Sequence, residues 1–516
     1  MYKSKALIGV GGTGAKVLEA FTYLIIAGFP GTDTPQFHLR MVDTDKENGN
    51  YTRLRKLLDL LNNSAGVAEL FDGYTKYDRS KSKNWLTGHI SHNSFHSLND
   101  ANNVPSEFLW QIDLTKLESL DQMTNDLNEA NGENRVSPLL SALYSQGDMA
   151  VPQAEGFHGK PRIGALRLQY EFDQDIAKDD SGFWNALKSR NVFAQGATQL
   201  MFTGSVFGGT GASGMPNLIK LCQEKFFKGD NGSSLGMTLM LPYYLFSNLK
   251  KACPADPSQF RLNSKLSLLY YYNSQLLEHL SNPSVYLIGQ DVTTNMKTKK
   301  WADISLYAGR SQQENPALPA ELTAALATID YFKYKESGDD VRWCVSGDTK
   351  NTPLKVSTEF PDGHNLQTAL HRIAAFSLLW ILLSSNKPDG TSDLYAFRSL
   401  LKMKAECSNR WNDILYPIDH FVAAALDWLL QLDANGIDLD WFRDSYDNLM
   451  EFMKEVKSGR KSFAQCDKTI GRYNVGKWLK DIDRSVGKYK LKTDDHEYKQ
   501  LLFAVMSVCA KEYGYR

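Results

Sequence analysis

Gly204-Ser205-Val206-Phe207-Gly208-Gly209-Thr210-Gly211-Ala212-Ser213-Gly214 lies between an apolar run and a helical period. The run before it, Thr198-Gln199-Leu200-Met201-Phe202-Thr203, reads as a strand, and Pro216 to Phe227 reads as a helix. Glycines in such a turn let the backbone bend sharply and approach a ligand with no Cβ in the way. A helix that opens there turns unbonded N–H groups and the positive end of its dipole toward an anion. Thr210 and Ser213 add hydroxyl donors for phosphate oxygens.

A turn of the same kind stands near the start of the chain. Lys5-Ala6-Leu7-Ile8-Gly9-Val10 reads as a strand and runs into Gly11-Gly12-Thr13-Gly14. Val17, Leu18, Phe21, Leu24 and Ile25 then recur at helical spacing. Phe37, Leu39, Met41 and Val42 form a second strand, closed by Asp43-Thr44-Asp45. Strand, turn, helix and strand in this order make half of a parallel α/β unit. Alone, Gly9, Gly11 and Gly14 also fit the G-x-G-x-x-G spacing of a dinucleotide site, with Asp43 on the ribose, or a turn that holds no ligand. A single dinucleotide site has no need of the second loop. Two such loops in one sheet suggest a triphosphate held between two helix N-termini.

The rest of the chain sets the frame. Its 516 residues are too many for one ordinary core, so two or three domains are expected. The formal net charge of -1 gives no basic surplus, and no nucleic acid is expected as a partner. None of the six cysteines is spaced as CxxC, so neither a zinc knuckle nor a redox pair is indicated. The first residues lack a signal-peptide pattern, and a cytoplasmic location is expected. The most apolar stretch, Ile373 to Leu383, is too short to span a bilayer and reads as a buried helix, so no transmembrane segment is expected.

Further strands are expected at Leu235 to Leu241 and Val285 to Ile288, with helices at about 259–280 and from Pro319 to Phe332. Residues from about 60 to 158, rich in Asn, Ser, Asp and Gly, read as helices and long loops. The polar stretch Lys335-Glu336-Ser337-Gly338-Asp339-Asp340 marks a boundary. Short strands near 341–346 and 354–358 and helices over about 364–385, 391–406, 415–433, 438–457 and 494–512 follow. The expected fold is an α/β nucleotide-binding domain with a parallel, Rossmann-like sheet over residues 1–334, and a mainly α-helical domain over 335–516.

Gly208-Gly209-Thr210-Gly211-Ala212-Ser213-Gly214 resembles the GGTG(S/T)G signature loop of the tubulin/FtsZ superfamily. Gly9 to Gly14 is similar to that superfamily's first nucleotide loop, and Asp43-Thr44-Asp45 to its Asn-Thr-Asp segment. The likeness covers about residues 1–333 and is to divergent bacterial tubulin-like members. It implies GTP or GDP with Mg²⁺ at the phosphates, held by Gly11, Gly12, Thr13, Gly14, Asp43, Asp45, Gly208, Gly209, Thr210 and Gly211. It also implies a phosphate contact from Arg162 in Gly159-Lys160-Pro161-Arg162-Ile163-Gly164. Asn263 and Gln290 fall where the family reads the base, and Tyr286 where it stacks on it. Helix capping for Asn263 and core packing for Tyr286 are the plainer alternatives. Polymerising members carry an Asn-x-Asp acid after a long central helix. The matching stretch is Glu314-Asn315-Pro316-Ala317-Leu318-Pro319-Ala320-Glu321, where Ala317 takes the acid position and Glu314 or Glu321 would substitute.

The implied function is guanine-nucleotide binding that controls self-assembly, or a protein partner held by the C-terminal helices, with weak hydrolysis. An NAD(P)-dependent enzyme and a nucleotide-stabilised scaffold without turnover are the alternatives. His89, His92 and His96 have no Cys or carboxylate beside them and read as a polar loop rather than a zinc site. Lys297-Thr298-Lys299-Lys300-Trp301 reads as a solvated basic loop.

Overall fold

β1 (Ser4–Val10) is buried at every position, so it needs cover on both faces. Its side chains alternate: Ala6, Ile8 and Val10 enter one core, Leu7 the other. The computed structural model describes residues 4–30, 37–45, 47–62, 109–111, 119–131, 136–151, 153, 157, 159–178, 182–189, 192–230, 232–244, 258–274, 276, 283–289, 314–333, 354–385, 416–439, 475–488, 504–505, 508–509 and 512.

β2 (Phe37–Asp43), β3 (Leu109–Gln111), β4 (Thr198–Ser205), β5 (Ser234–Met240) and β6 (Ser284–Ile288) join β1 in a six-stranded sheet of order β3-β2-β1-β4-β5-β6. Every neighbouring pair is parallel. The fold is α/β and Rossmann-like, as the alternation of strands and helices predicts. β3 was not legible, because three residues in a polar region carry no period.

α1 (Gly11–Ile26), α2 (Gly49–Asn62) and α10 (Pro319–Lys333) cover one face. α3 (Leu120–Asn131), α4 (Val136–Leu143), α5 (Gln146–Met149), α6 (Pro161–Ile176), α7 (Phe183–Ser189) and α8 (Gly209–Phe226) contribute to the core on the other, and α9 (Ser258–Asn273) adds Tyr271 to it. α8 starts at Gly209, before Pro216, which sits inside it. Gly209 and Gly211 of the expected turn are therefore already its first turn, while Gly204 lies in β4. α9 stops at Asn273, short of the expected end.

α10 runs the height of the sheet. Its first turn lies beside Tyr243, just beyond β5. Its last turn meets the amino ends of the strands, where Lys5 Nζ donates to Phe332 O at 2.8 Å and Gln199 Nε2 to Tyr331 O at 3.1 Å.

β7 (Leu354–Lys355) pairs with β8 (Ile437–Asp438) in a separate two-stranded sheet. α11 (Val356–Glu359) follows β7, where a longer strand was expected. α12 (Gly363–Ser385), α13 (Tyr416–Ala434) and α14 (Val475–Lys488) complete the described elements. α12 buries Ile373, Phe376, Leu379 and Trp380, as its apolar run predicts. Among the described residues no helix is long and apolar enough to cross a membrane. One apolar core cluster takes in residues of α1, α10, α12 and α13. Tyr23 of α1 stacks on Trp428 of α13, ring centres 4.5 Å apart. The expected strands near 341–346, the helices at 391–406, 438–457 and most of 494–512, and the linker at 335–340 lie outside the described residues.

Trp428 is 3% exposed and joins the helical part to α1. Trp428→Ala is expected to cost about 3–5 kcal/mol, read as a lower urea midpoint.

Candidate functional site

The sheet order reverses at β1, which has β2 on one side and β4 on the other. Helices reached from β1 and β4 leave toward opposite faces, the arrangement in which open α/β sheets place a ligand crevice at the carboxyl ends of their strands. Both glycine-rich loops lie there. Register brings them level, with Gly9 opposite Thr203 and Val10 opposite Gly204.

Gly11 has φ +72°, a conformation that a side chain would strain. A methyl group on it would stand 3.3 Å from Thr210 Cβ and 3.4 Å from Gly211 N, so the two loops are in contact. A methyl on Gly14 would lie 2.6 Å from Gly9 C and 2.9 Å from Thr203 O. Only a bare Cα lets α1 come this close to β1 and β4. The residues before α1 and α8 are Val10 and Gly208, and neither caps its helix with a side chain. Their first-turn N–H groups therefore suit an anion. The turn before α6 joins them: a methyl on Gly209 would meet Gly159 N and Phe157 Cβ, each at 3.2 Å.

Acidic and amide groups line the β2 side. Asp43 Oδ1 accepts from Thr44 N at 2.8 Å and Asp45 N at 3.3 Å. Burial, and then the Asp45 charge, push the Asp43 carboxyl up to about 7. The Asp45 and Thr44 backbone N–H groups, and after them the Thr210 hydroxyl of the second loop, draw that value part of the way back. Even so, Asp43 Oδ2 and Thr44 Oγ1 are buried with no partner in hydrogen-bond geometry. Unpartnered buried polar atoms are rare and fit a site that holds a ligand. Asp45 accepts from Glu47 N at 3.0 Å. A methyl on Gly12 would lie 3.0 Å from Asn48 Nδ2 and 3.1 Å from Asn50 Nδ2.

A buried charged cluster stands behind the first loop. Lys16 of α1 pairs with Glu321 of α10, both 2% exposed. Glu321 Oε2 also accepts from Leu318 N at 2.7 Å, capping its own helix. Tyr243 donates to Glu321 Oε1 at 2.7 Å and reaches Thr13 in the first glycine-rich loop. Burial lowers the Lys16 pKa, and the Glu321 charge opposes the change. Nearby, Arg53 of α2 grips Glu19 through Nε and Nη2 at 2.8 and 2.6 Å.

Gly11, Gly12, Thr13, Gly14, Gly208, Gly209, Thr210, Gly211, Asp43 and Asp45 thus lie together at the carboxyl ends of β1, β2 and β4. The other expected residues sit differently. Arg162 is 72% exposed, with Nη2 3.6 Å from Asp148 Oδ2. Asn263 Nδ2 donates to Gly159 O at 2.7 Å and Phe207 O at 3.3 Å, so its amide ties two turns together. Tyr286 is a core side chain under α10, its hydroxyl 3.4 Å from Asp330. Ser213 turns its hydroxyl to Gly209 O at 2.5 Å, back into its own helix. Glu321 is enclosed by its partners, and Glu314 is exposed. The stretch that holds both opens α10 at the carboxyl end of the sheet, the end where the glycine loops lie. Gln290, the histidines at 89, 92 and 96, and the 297–301 basic cluster lie outside the described residues.

Sequence reading missed Lys16, Asn48, Asn50 and Tyr243. A lysine inside an otherwise apolar helix face was the one signal for Lys16. Asn48-Gly49-Asn50 right after Asp43-Thr44-Asp45 marks a helix start and nothing more. No cluster of three metal-ligating side chains occurs among the described residues. Mg²⁺ does not need one, since it is commonly held by one or two carboxylates, phosphate oxygens and water. Asp43 and Asp45 fit that donor set. No protein-family model matches the chain, and no curated protein matches it.

Asp43 ionises near 3.8 when unfolded and about 7 when folded. Between those values the folded state keeps a proton that the unfolded state releases, so stability falls as pH rises through the window. Asp43→Asn keeps the Oδ1 acceptor and cannot ionise. It is expected to stabilise the chain more at about pH 8 than at about pH 5, by on the order of 2 kcal/mol, measured by thermal unfolding at both pH values.

Proposed function

We propose that the chain binds GTP or GDP, with Mg²⁺, in the crevice between the β1 and β4 loops, as tubulin/FtsZ-type proteins do. The observation that carries this reading is the contact of Gly11 with Thr210 and Gly211 across the switch point. Two uncapped helix N-termini meet there, which suits a run of phosphates better than a lone ion. Asp43 and Asp45 would hold the Mg²⁺, which screens phosphate charge from the carboxylates. Bound nucleotide controls self-assembly or the grip on a protein partner in this reading, through the helices that share a core with α1.

Hydrolysis is assigned as weak. Glu321 is committed to Lys16, Tyr243 and its own helix cap, which removes it as a general base. Glu314 is the remaining acid. A second reading, an NAD(P) site, draws on the strand order and on a buried Asp43 at the end of β2, where a ribose would sit. It leaves the second glycine loop without a role.

Calorimetry with GTP, GDP, ATP and NAD decides between them. Binding of GTP and GDP alone is expected; NAD binding alone would replace this reading with the second. Gly209→Asp, folded by circular dichroism, is expected to lose nucleotide binding, because it sets a carboxylate at the α8 N-terminus. Unchanged affinity in that variant would remove the loop from the site.

A further inference from the structure

We propose that Asn50 senses the terminal phosphate of the bound nucleotide and passes its presence, through the strap at residues 314–318, to helix α13. This rests on the nucleotide reading above and adds the residue that reads the phosphate and the route out of the site.

The two ends of the Asn50 amide face different elements. Oδ1 accepts the backbone N–H of Asn315 at 2.8 Å. An amide oxygen used in this way fixes the flip, so Nδ2 is turned the other way, toward Gly12 of the first loop. Asn50 is 2% exposed and has little freedom to rotate away. Asn48 Oδ1 braces it by accepting Asn50 N at 3.0 Å. A phosphate oxygen seated over Gly12 would take a hydrogen bond from Nδ2, and a nucleotide one phosphate shorter would not.

The strap carries the motion onward because it is held at both ends. Arg53 Nη1 donates to Asn315 O at 2.9 Å. Two residues on, Ala317 N donates to Gln431 Oε1 of α13 at 2.9 Å, and Asn435 Nδ2 donates to Ala317 O at 3.3 Å. Pro316 lies between the two anchors and fixes its own φ, which limits how the strap can bend between them. A shift of Asn50 toward phosphate must therefore stretch the Asn315 bond or draw Ala317 and Gln431 with it. In the proposal this network takes a second arrangement when the phosphate is bound, which would couple the two sites.

The test uses the full chain in two measurements. Affinities for GTP and GDP are taken by calorimetry, and backbone hydrogen exchange is followed at 314–318 and 427–436 with each nucleotide. The wild type is expected to exchange differently in GTP and GDP at both segments. Asn50→Asp keeps the acceptor for Asn315 and loses the donor. It also adds a carboxylate beside Gly12, so both affinities are expected to fall, GTP by about tenfold more than GDP because only GTP loses the charge-assisted hydrogen bond. Gln431→Leu is expected to leave both affinities alone and to erase the exchange difference in α13. If that variant does not fold, Asn435→Ser, which withdraws the other strap contact, takes its place. No nucleotide binding by the wild type would end the nucleotide reading itself. Binding with identical exchange in GTP and GDP, or Asn50→Asp binding GTP as tightly as the wild type, would overturn the relay alone.

Discussion

The approach of two bare backbone turns across the β1–β4 pair is the constraint on which the rest of the molecule depends. Parallel register sets Val10 opposite Gly204, so both turns leave the sheet at one height. Gly14 lets α1 settle against Gly9 and Thr203, and Gly11 then meets Thr210. A side chain at Gly14 would push α1 away from the sheet and separate the loops. The helices that pack on α1, including those after residue 354, would lose their seat as well.

Polar groups buried around this contact work against stability by themselves. A charge taken out of water is costly even when paired, and the Lys16–Glu321 pair lies almost fully inside. Its geometry recovers much of that loss, because Glu321 also caps α10 and accepts from Tyr243. The same bonds fix the first turns of α1 and α10 relative to each other, and with them the position of Thr13. Asp43 is the opposite case. Its second oxygen and the Thr44 hydroxyl stay unpartnered beside the crevice. The stiff, satisfied cluster lies behind the first loop, and the unsatisfied one lies on the β2 side. Leaving the Asp43 oxygen and the Thr44 hydroxyl unpartnered comes at some expense in stability.

Residue patterns made much of the fold legible. Buried parallel strands are rich in apolar residues, so β1, β2, β4, β5 and β6 could be placed within about two residues. Long helices with a clear period, α1, α12 and α13, were equally plain. Asn263 and Tyr286 were less so. An asparagine that ties two turns and one that reads a base have the same neighbours in sequence, and burial decides between a core tyrosine and a stacking one. Glu321 has the same ambiguity, since nothing local reveals that Lys16, far away in the chain, neutralises it.

The sequence by itself determined that two glycine turns each join a strand to a helix, because that information is local: chain period, missing side chains and helix start. Tertiary structure decided that the turns touch, that Asn48 and Asn50 face Gly12, and that residues 314–318 bridge α2 to α13. Those facts follow from strand order and helix packing, which bring together residues from tens to hundreds of positions apart, and no short window of sequence contains them.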